Sequence, residues 1–181
     1  MILRNPAERA FSQYLHALGM GAIHKTFREQ INDSLRARTS TFGILYPFLE
    51  FGLYYDQVKR YLERFPRERV RIYLYEDYQN EPRRMLEDIF RLLSVDFTFV
   101  PNMTQKRLEA RVPRSPLIGR LLRKCGFLGG SRLGALRPFF FKNRAALAME
   151  PADRAYLVDF YRDDIRKLSR LLSRDLNAWL Q

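Results

Sequence analysis

The chain reads as a helix-rich α/β protein with a parallel sheet flanked by helices, and three observations point there. Apolar Met1-Ile2-Leu3 runs directly into Asn5-Pro6, the pattern of a short buried strand feeding a turn and a helix start. Val70-Arg-Ile-Tyr-Leu-Tyr75, rich in β-branched and aromatic residues, reads as a second strand. Segments of helical periodicity stand on both sides of it. A helix–strand–helix order implies a layered parallel sheet rather than a helical bundle.

The elements follow in order. Asn5 is a good N-cap and Pro6 suits the first helical position, so a helix runs from there to about Leu18 and breaks at Gly19-Met-Gly21. A second helical pattern covers His24 to Arg38, and Thr39–Gly43 ends it. Tyr54 to Phe65 places Val58, Tyr61, Leu62 and Phe65 on one face, and Pro66 stops the helix. Glu81-Pro82 opens the next helix, with Met85, Leu86, Ile89, Phe90 and Leu93 as its apolar face. The stretch that follows is rich in proline and glycine and reads as loop, with one short helix over 117–124. Pro151 to Leu172 is a long amphipathic helix, acidic early and basic late, as the helix dipole favours. Trp179 lies in a short tail expected to pack back on the domain.

Composition sets the outer bounds. A chain of 181 residues, 46% hydrophobic and 14% aromatic, forms one folded domain, 1–181, rather than two or none. The one cysteine, Cys125, forms no internal disulfide, and no apolar run reaches the length of a membrane span. The start carries no secretory signature, so a soluble, cytoplasmic protein is expected. Cys125, His16 and His24 make no zinc spacing, and no metal is expected. The two histidines sit within helical patterns and read as satisfied side chains. No nucleophile elbow and no glycine-rich phosphate loop occurs.

The net charge of +12 is concentrated. Residues 101–144 hold eleven Lys and Arg against the single acid Glu109, while the rest of the chain is nearly neutral. Such a segment attracts anions (phosphate, sulfated glycan, nucleic acid or lipid headgroups) or else forms a solvated surface stretch. Nucleic acid is the weakest of these, because no recognisable binding module accompanies the charge.

The sharpest signal is Arg4-Asn-Pro-Ala-Glu-Arg9-Ala-Phe-Ser12-Gln-Tyr14. It resembles the 3′-phosphate-binding motif of sulfotransferases, R-N-P-x-x-R-A-x-S-x-Y. These enzymes move a sulfuryl group from 3′-phosphoadenosine 5′-phosphosulfate (PAPS) to an acceptor hydroxyl or amine. The resemblance continues through Gly52-Leu-Tyr54-Tyr55, Val58, Tyr61, Phe65-Pro66, the strand ending in Tyr75-Glu76-Asp77, and the ending Arg162 to Leu180. It implies the P-loop-NTPase-like sulfotransferase fold, with Arg4 and Ser12 holding the 3′-phosphate and PAPS as donor. Arg4 suits that task as a planar fork at a strand end, and Ser12 as a small neutral donor. Pro6 to Ser12 rises about 9 Å along a helix, so the anion would lie beside it rather than on its axis. Arg9, on the face of Ser12, assists or else pairs with Glu8 or Asp33. Gly52, Tyr54 and Tyr55 line the acceptor cleft or pack beneath the sheet. Glu76 and Asp77 read as capping or arginine-pairing residues.

Family members carry, upstream of this motif, a strand, a phosphosulfate loop and a His or Glu base. Nothing of that kind fits ahead of Leu3, so the resemblance implies a domain lacking its first βα unit, with the catalytic residues expected upstream of Met1. An exposed sheet edge would then be covered by a partner or a second copy. The acceptor stays open, a glycan or small alcohol among the choices. The competing reading is a non-catalytic module that binds nucleotides or polyanions through 101–144.

Overall fold

The computed structural model describes residues 1–20, 22–23, 25–36, 48–101 and 147–181, with the backbone of 111–113 and 141–143. They fall into two compact units. One comprises Met1–Glu8, Leu53–Lys106 and Val158–Gln181, the other Arg9–Gly52 and Arg107–Leu157.

The first unit is built on β1 (Ile2–Leu3) and β2 (Tyr73–Leu74), which pair in parallel with Ile2 opposite Tyr73 and Leu3 opposite Leu74. The expected parallel layer is present. Leu3 and Leu74 are buried, and the amine of Met1 extends the pairing by donating to the Arg71 carbonyl at 2.7 Å. β2 is shorter than the Val70–Tyr75 run because Tyr75 opens an unexpected helix, α4 (Tyr75–Asn80). The Asp77 carboxylate accepts the Leu74 N–H at 2.8 Å, and this local side-chain bond draws the backbone out of the strand.

Helices α3 (Tyr54–Arg64) and α5 (Pro82–Leu92) lie where the periodicity predicts. α3 stops before Phe65, which is extended because Pro66 disfavours a helical conformation in the residue before it. Two expected apolar faces need correction. On α3 only Tyr54 and Val58 are buried, while Tyr61 and Phe65 are exposed and stack on each other at 5.8 Å. On α5 Met85 is buried, whereas Leu93 lies past the helix end and is 62% exposed. The long helix α6 (Pro151–Leu172) buries Tyr161, Ile165 and Leu168 in this unit. The tail packs back as expected: a 3-10 turn over Asn177–Leu180 brings Trp179 to 6.3 Å from the Tyr54 ring, and its Nε1–H donates to Glu76 at 3.0 Å.

In the second unit, α1 (Pro6–Gly19) continues from Arg9 with Ala10, Leu15 and Ala17 inward. α2 is Phe27–Arg36, so it starts later than the expected His24, while the expected end at Arg38 lies outside the described residues. Thr26 and Glu29 form a reciprocal cap, the Glu29 carboxylate accepting the Thr26 N–H at 2.7 Å and Thr26 Oγ1 accepting the Glu29 N–H at 3.3 Å. That pair fixes the helix start. Phe27 then sits 5.0 Å from Phe11, 5.1 Å from Tyr14 and 6.1 Å from Phe48, an aromatic core. Buried Asp153 meets Arg28 at 2.5 Å. Arg111–Pro113 and Phe141–Asn143 form an antiparallel pair, β3 and β4, inside the stretch read as loop. The helix expected over 117–124, the break at Thr39–Gly43, His24 and Cys125 lie outside the described residues. Among the described residues no helix is long and apolar enough to cross a membrane.

Candidate functional site

The site starts where β1 ends. Asn5 is buried, and its Oδ1 accepts the N–H groups of Ala7 at 3.0 Å and Glu8 at 3.4 Å, which caps α1 as the sequence predicts. Arg4 is thereby held between a strand end and a helix start. Its guanidinium carbon stands 5.0 Å from the Tyr75 ring centroid, and its Nη2 lies 3.4 Å from Glu8 Oε2. The Arg4 side chain remains 34% exposed, open to an anion from solvent. Arg4 and Tyr75 follow the paired residues Leu3 and Leu74, so both emerge at the carboxyl ends of parallel strands, where open α/β sheets bind ligands.

The other expected site residues fall as follows. Ser12, half-buried in α1, and Arg9 belong to the second unit. Arg9 donates to Gln13 Oε1 at 2.6 Å and to the Phe48 carbonyl at 2.5 Å, while its Nε is buried without a hydrogen-bond partner. Asp33, considered as a partner for Arg9, is instead bonded to Lys25. Gly52 is buried in a 3-10 turn, its N–H donating to Leu49 at 2.9 Å. Tyr54 is buried against Trp179, and half-buried Tyr55 lies beneath Lys167 at 5.8 Å. His16 is exposed on α1. Among the described residues no group of three His, Cys, Asp or Glu could hold a metal ion.

Two groups, Asp164 and Tyr73, escaped the sequence reading, whereas Asp77 takes the roles expected of it. Asp164 on α6 accepts the N–H groups of Tyr54 at 2.8 Å and Tyr55 at 3.2 Å, supplying the cap that Leu53 has no side chain to provide. Burial pushes its carboxyl above the usual range against the pull of those two donors. Tyr73 donates to Asp88 at 2.5 Å, and burial together with that acceptor raises its phenol to about 12. Asp77 binds Arg174 through two bonds of 2.8 Å, which hold its carboxyl below the usual range. Arginine pairing and backbone capping by Asp77 are thus both present.

This last pair carries a pH dependence. A depressed carboxyl contributes stability that is present above its unfolded value and lost as pH falls through the folded one. Acid titration of the thermal unfolding midpoint is expected to show a decline below the ordinary aspartate range, with a shallower slope there in Asp77→Asn. Equal slopes in both proteins would contradict it.

Comparison with known proteins fits this geometry. A family model described as a sulfotransferase domain matches residues 1–114. Over 186 aligned residues the chain is 27% identical to the bifunctional heparan sulfate N-deacetylase/N-sulfotransferase 1 of Xenopus tropicalis, covering 99% of the chain and 20% of that relative. The Homo sapiens counterpart is 28% identical over the same shares. The chain thus spans about a fifth of the length of these curated relatives. The crystal structure of a sulfotransferase from Alicyclobacillus acidocaldarius superposes with a TM-score of 0.71 at 28% identity, over 99% of the chain and 56% of the other.

Proposed function

The chain belongs to the sulfotransferase-domain family, and from that premise we propose that it grips PAPS by its 3′-phosphate for sulfuryl transfer to an acceptor hydroxyl or amine. Arg4 carries this reading: a partly exposed guanidinium at the carboxyl end of β1, set in the whole motif from Arg4 to Tyr14. Arg4 and Ser12 are assigned to the phosphate, with Arg9 in a supporting part. PAPS supplies an activated S–O bond, and the protein's task is positioning and charge neutralisation. The relatives named for heparan sulfate favour a glycan acceptor, and Gly52, Tyr54 and Tyr55 are proposed at its cleft. Tyr55 is the better exposed of the two tyrosines and the better placed to touch it. The basic segment 101–144, eleven bases to one acid, suits an anionic chain of that kind.

A ligand that binds only the folded state raises the unfolding temperature, and by more the further its concentration exceeds its dissociation constant. Millimolar PAPS is therefore expected to raise the midpoint of the purified chain, whereas inorganic sulfate at equal ionic strength is not. An unchanged midpoint with PAPS would overturn the reading. A shift of equal size with any polyanion would favour the alternative, a general anion-binding module.

A further inference from the structure

We propose that Glu8 is a built-in competitor for the anion on Arg4, and that Tyr75 is the positioning residue that keeps the guanidinium ready for the exchange. The inference rests on the reading that Arg4 takes the 3′-phosphate. At 3.4 Å the Arg4–Glu8 contact is longer than the 2.7–2.9 Å usual for charge-assisted bonds. It joins one guanidinium nitrogen to one carboxylate oxygen, with the side chains 34% and 37% exposed. A pair of this kind is weak and readily exchanged. A phosphate offers more charge and two oxygens for the planar fork, so it outcompetes the single carboxylate oxygen.

The geometry provides for both sides of that exchange. Glu8 lies in the first turn of α1, where the helix N-terminus favours a negative side chain, so the carboxylate keeps a stabilising environment after it is displaced. Tyr75 holds the other partner. The register that sets Leu3 opposite Leu74 makes Arg4 and Tyr75 the residues that directly follow the two paired strands, and the ring lies 5.0 Å from the guanidinium carbon. Stacking on an aromatic ring orients the guanidinium plane without using any of its N–H donors. The donors stay available to the ligand. Binding then replaces an internal acid by a phosphate, and the lost internal pair sets part of the affinity.

Calorimetry at fixed salt tests this with 3′,5′-adenosine bisphosphate, and with adenosine 5′-monophosphate, which lacks the 3′ group. Glu8→Gln is expected to tighten the bisphosphate about two- to fivefold, the scale of one exposed charge interaction, and to leave the monophosphate unchanged. Tyr75→Leu is expected to weaken the bisphosphate about two- to fivefold, and Tyr75→Phe to behave as the parent, because the ring rather than the hydroxyl acts on Arg4. Unfolding curves for each variant confirm that it is folded, and the Glu8→Gln and Tyr75→Phe arms keep the test intact if Tyr75→Leu does not fold. Unchanged or weaker binding by Glu8→Gln, or equal tightening of both nucleotides, overturns the competitor. Equal loss in Tyr75→Phe and Tyr75→Leu overturns the stacking role. Absence of bisphosphate binding by the parent protein is a different result, and it would remove the nucleotide reading along with the inference.

Discussion

Arg4→Ala is expected to weaken binding of 3′,5′-adenosine bisphosphate about ten- to hundredfold while leaving the unfolding temperature nearly unchanged. The size follows from the interaction removed. Hydrogen bonds to a charged group contribute about 1.5–3 kcal/mol, and each 1.4 kcal/mol is a factor of ten. The small stability effect follows from the surroundings of Arg4, which is one-third exposed and, among the described residues, meets a similarly exposed Glu8 and an aromatic face. Exposed pairs of this kind contribute at most about 1 kcal/mol. Arg4→Lys is the informative companion. It keeps the charge but loses the fork and the planar stacking, so an intermediate affinity is expected. Isothermal titration of the three proteins reads all of this directly, and parental affinity in Arg4→Ala would contradict the assignment.

The largest effect on stability is expected from Trp179→Ala, about 3–5 kcal/mol, the range for truncating a large buried aromatic. Trp179 is 3% exposed at the end of the chain, in a turn with little structure of its own to hold it. Two contacts are lost together: the edge-on packing against Tyr54 at 6.3 Å and the indole bond to Glu76 at 3.0 Å. Glu76 is sensitive to that loss because its Oε2 is already buried without a hydrogen-bond partner. Removing the indole takes the donor away from the other carboxylate oxygen as well, and unsatisfied buried groups are costly. Trp179→Phe, which keeps much of the packing and deletes the donor, is expected to fall between. Chemical denaturation of the three proteins measures the difference, and a loss below about 1 kcal/mol in Trp179→Ala would show that the tail is not part of the core.

Much of this fold was legible in the sequence because prolines mark the helix boundaries. Pro6, Pro82 and Pro151 stand at the first position of α1, α5 and α6, and Pro66 ends α3. Proline acts through local sterics, which need no knowledge of tertiary contacts. The start of α2 was also readable, since Thr26-x-x-Glu29 is a capping box, although periodicity alone placed the start earlier at His24. The end of β2 was harder. Tyr75 has strong strand character, and only the bond from Leu74 N–H to Asp77 turns the chain into α4.

The site divides in the same way. Arg4 and Ser12 were legible because the motif is local in sequence. Tyr75 belongs to the Tyr75-Glu76-Asp77 pattern, yet its place beside Arg4 depends on strand register, which no local pattern encodes. Asp164 was hidden for a similar reason: on the helix it reads as an ordinary acid, and only the packing of α6 near Tyr54 and Tyr55 turns it into a cap. The apolar faces of α3 and α5 were read too broadly, since periodicity gives the direction of a face but not how far the neighbouring layer covers it.

The central claim is that this chain recognises a nucleotide through its 3′-phosphate, and one titration tests it most directly. Calorimetry of the purified protein with 3′,5′-adenosine bisphosphate and with adenosine 5′-monophosphate isolates that single group. The claim predicts binding of the bisphosphate at least about tenfold tighter, the contribution of a charge-assisted contact to Arg4. Equal affinity for the two nucleotides, in a folded protein, would contradict it.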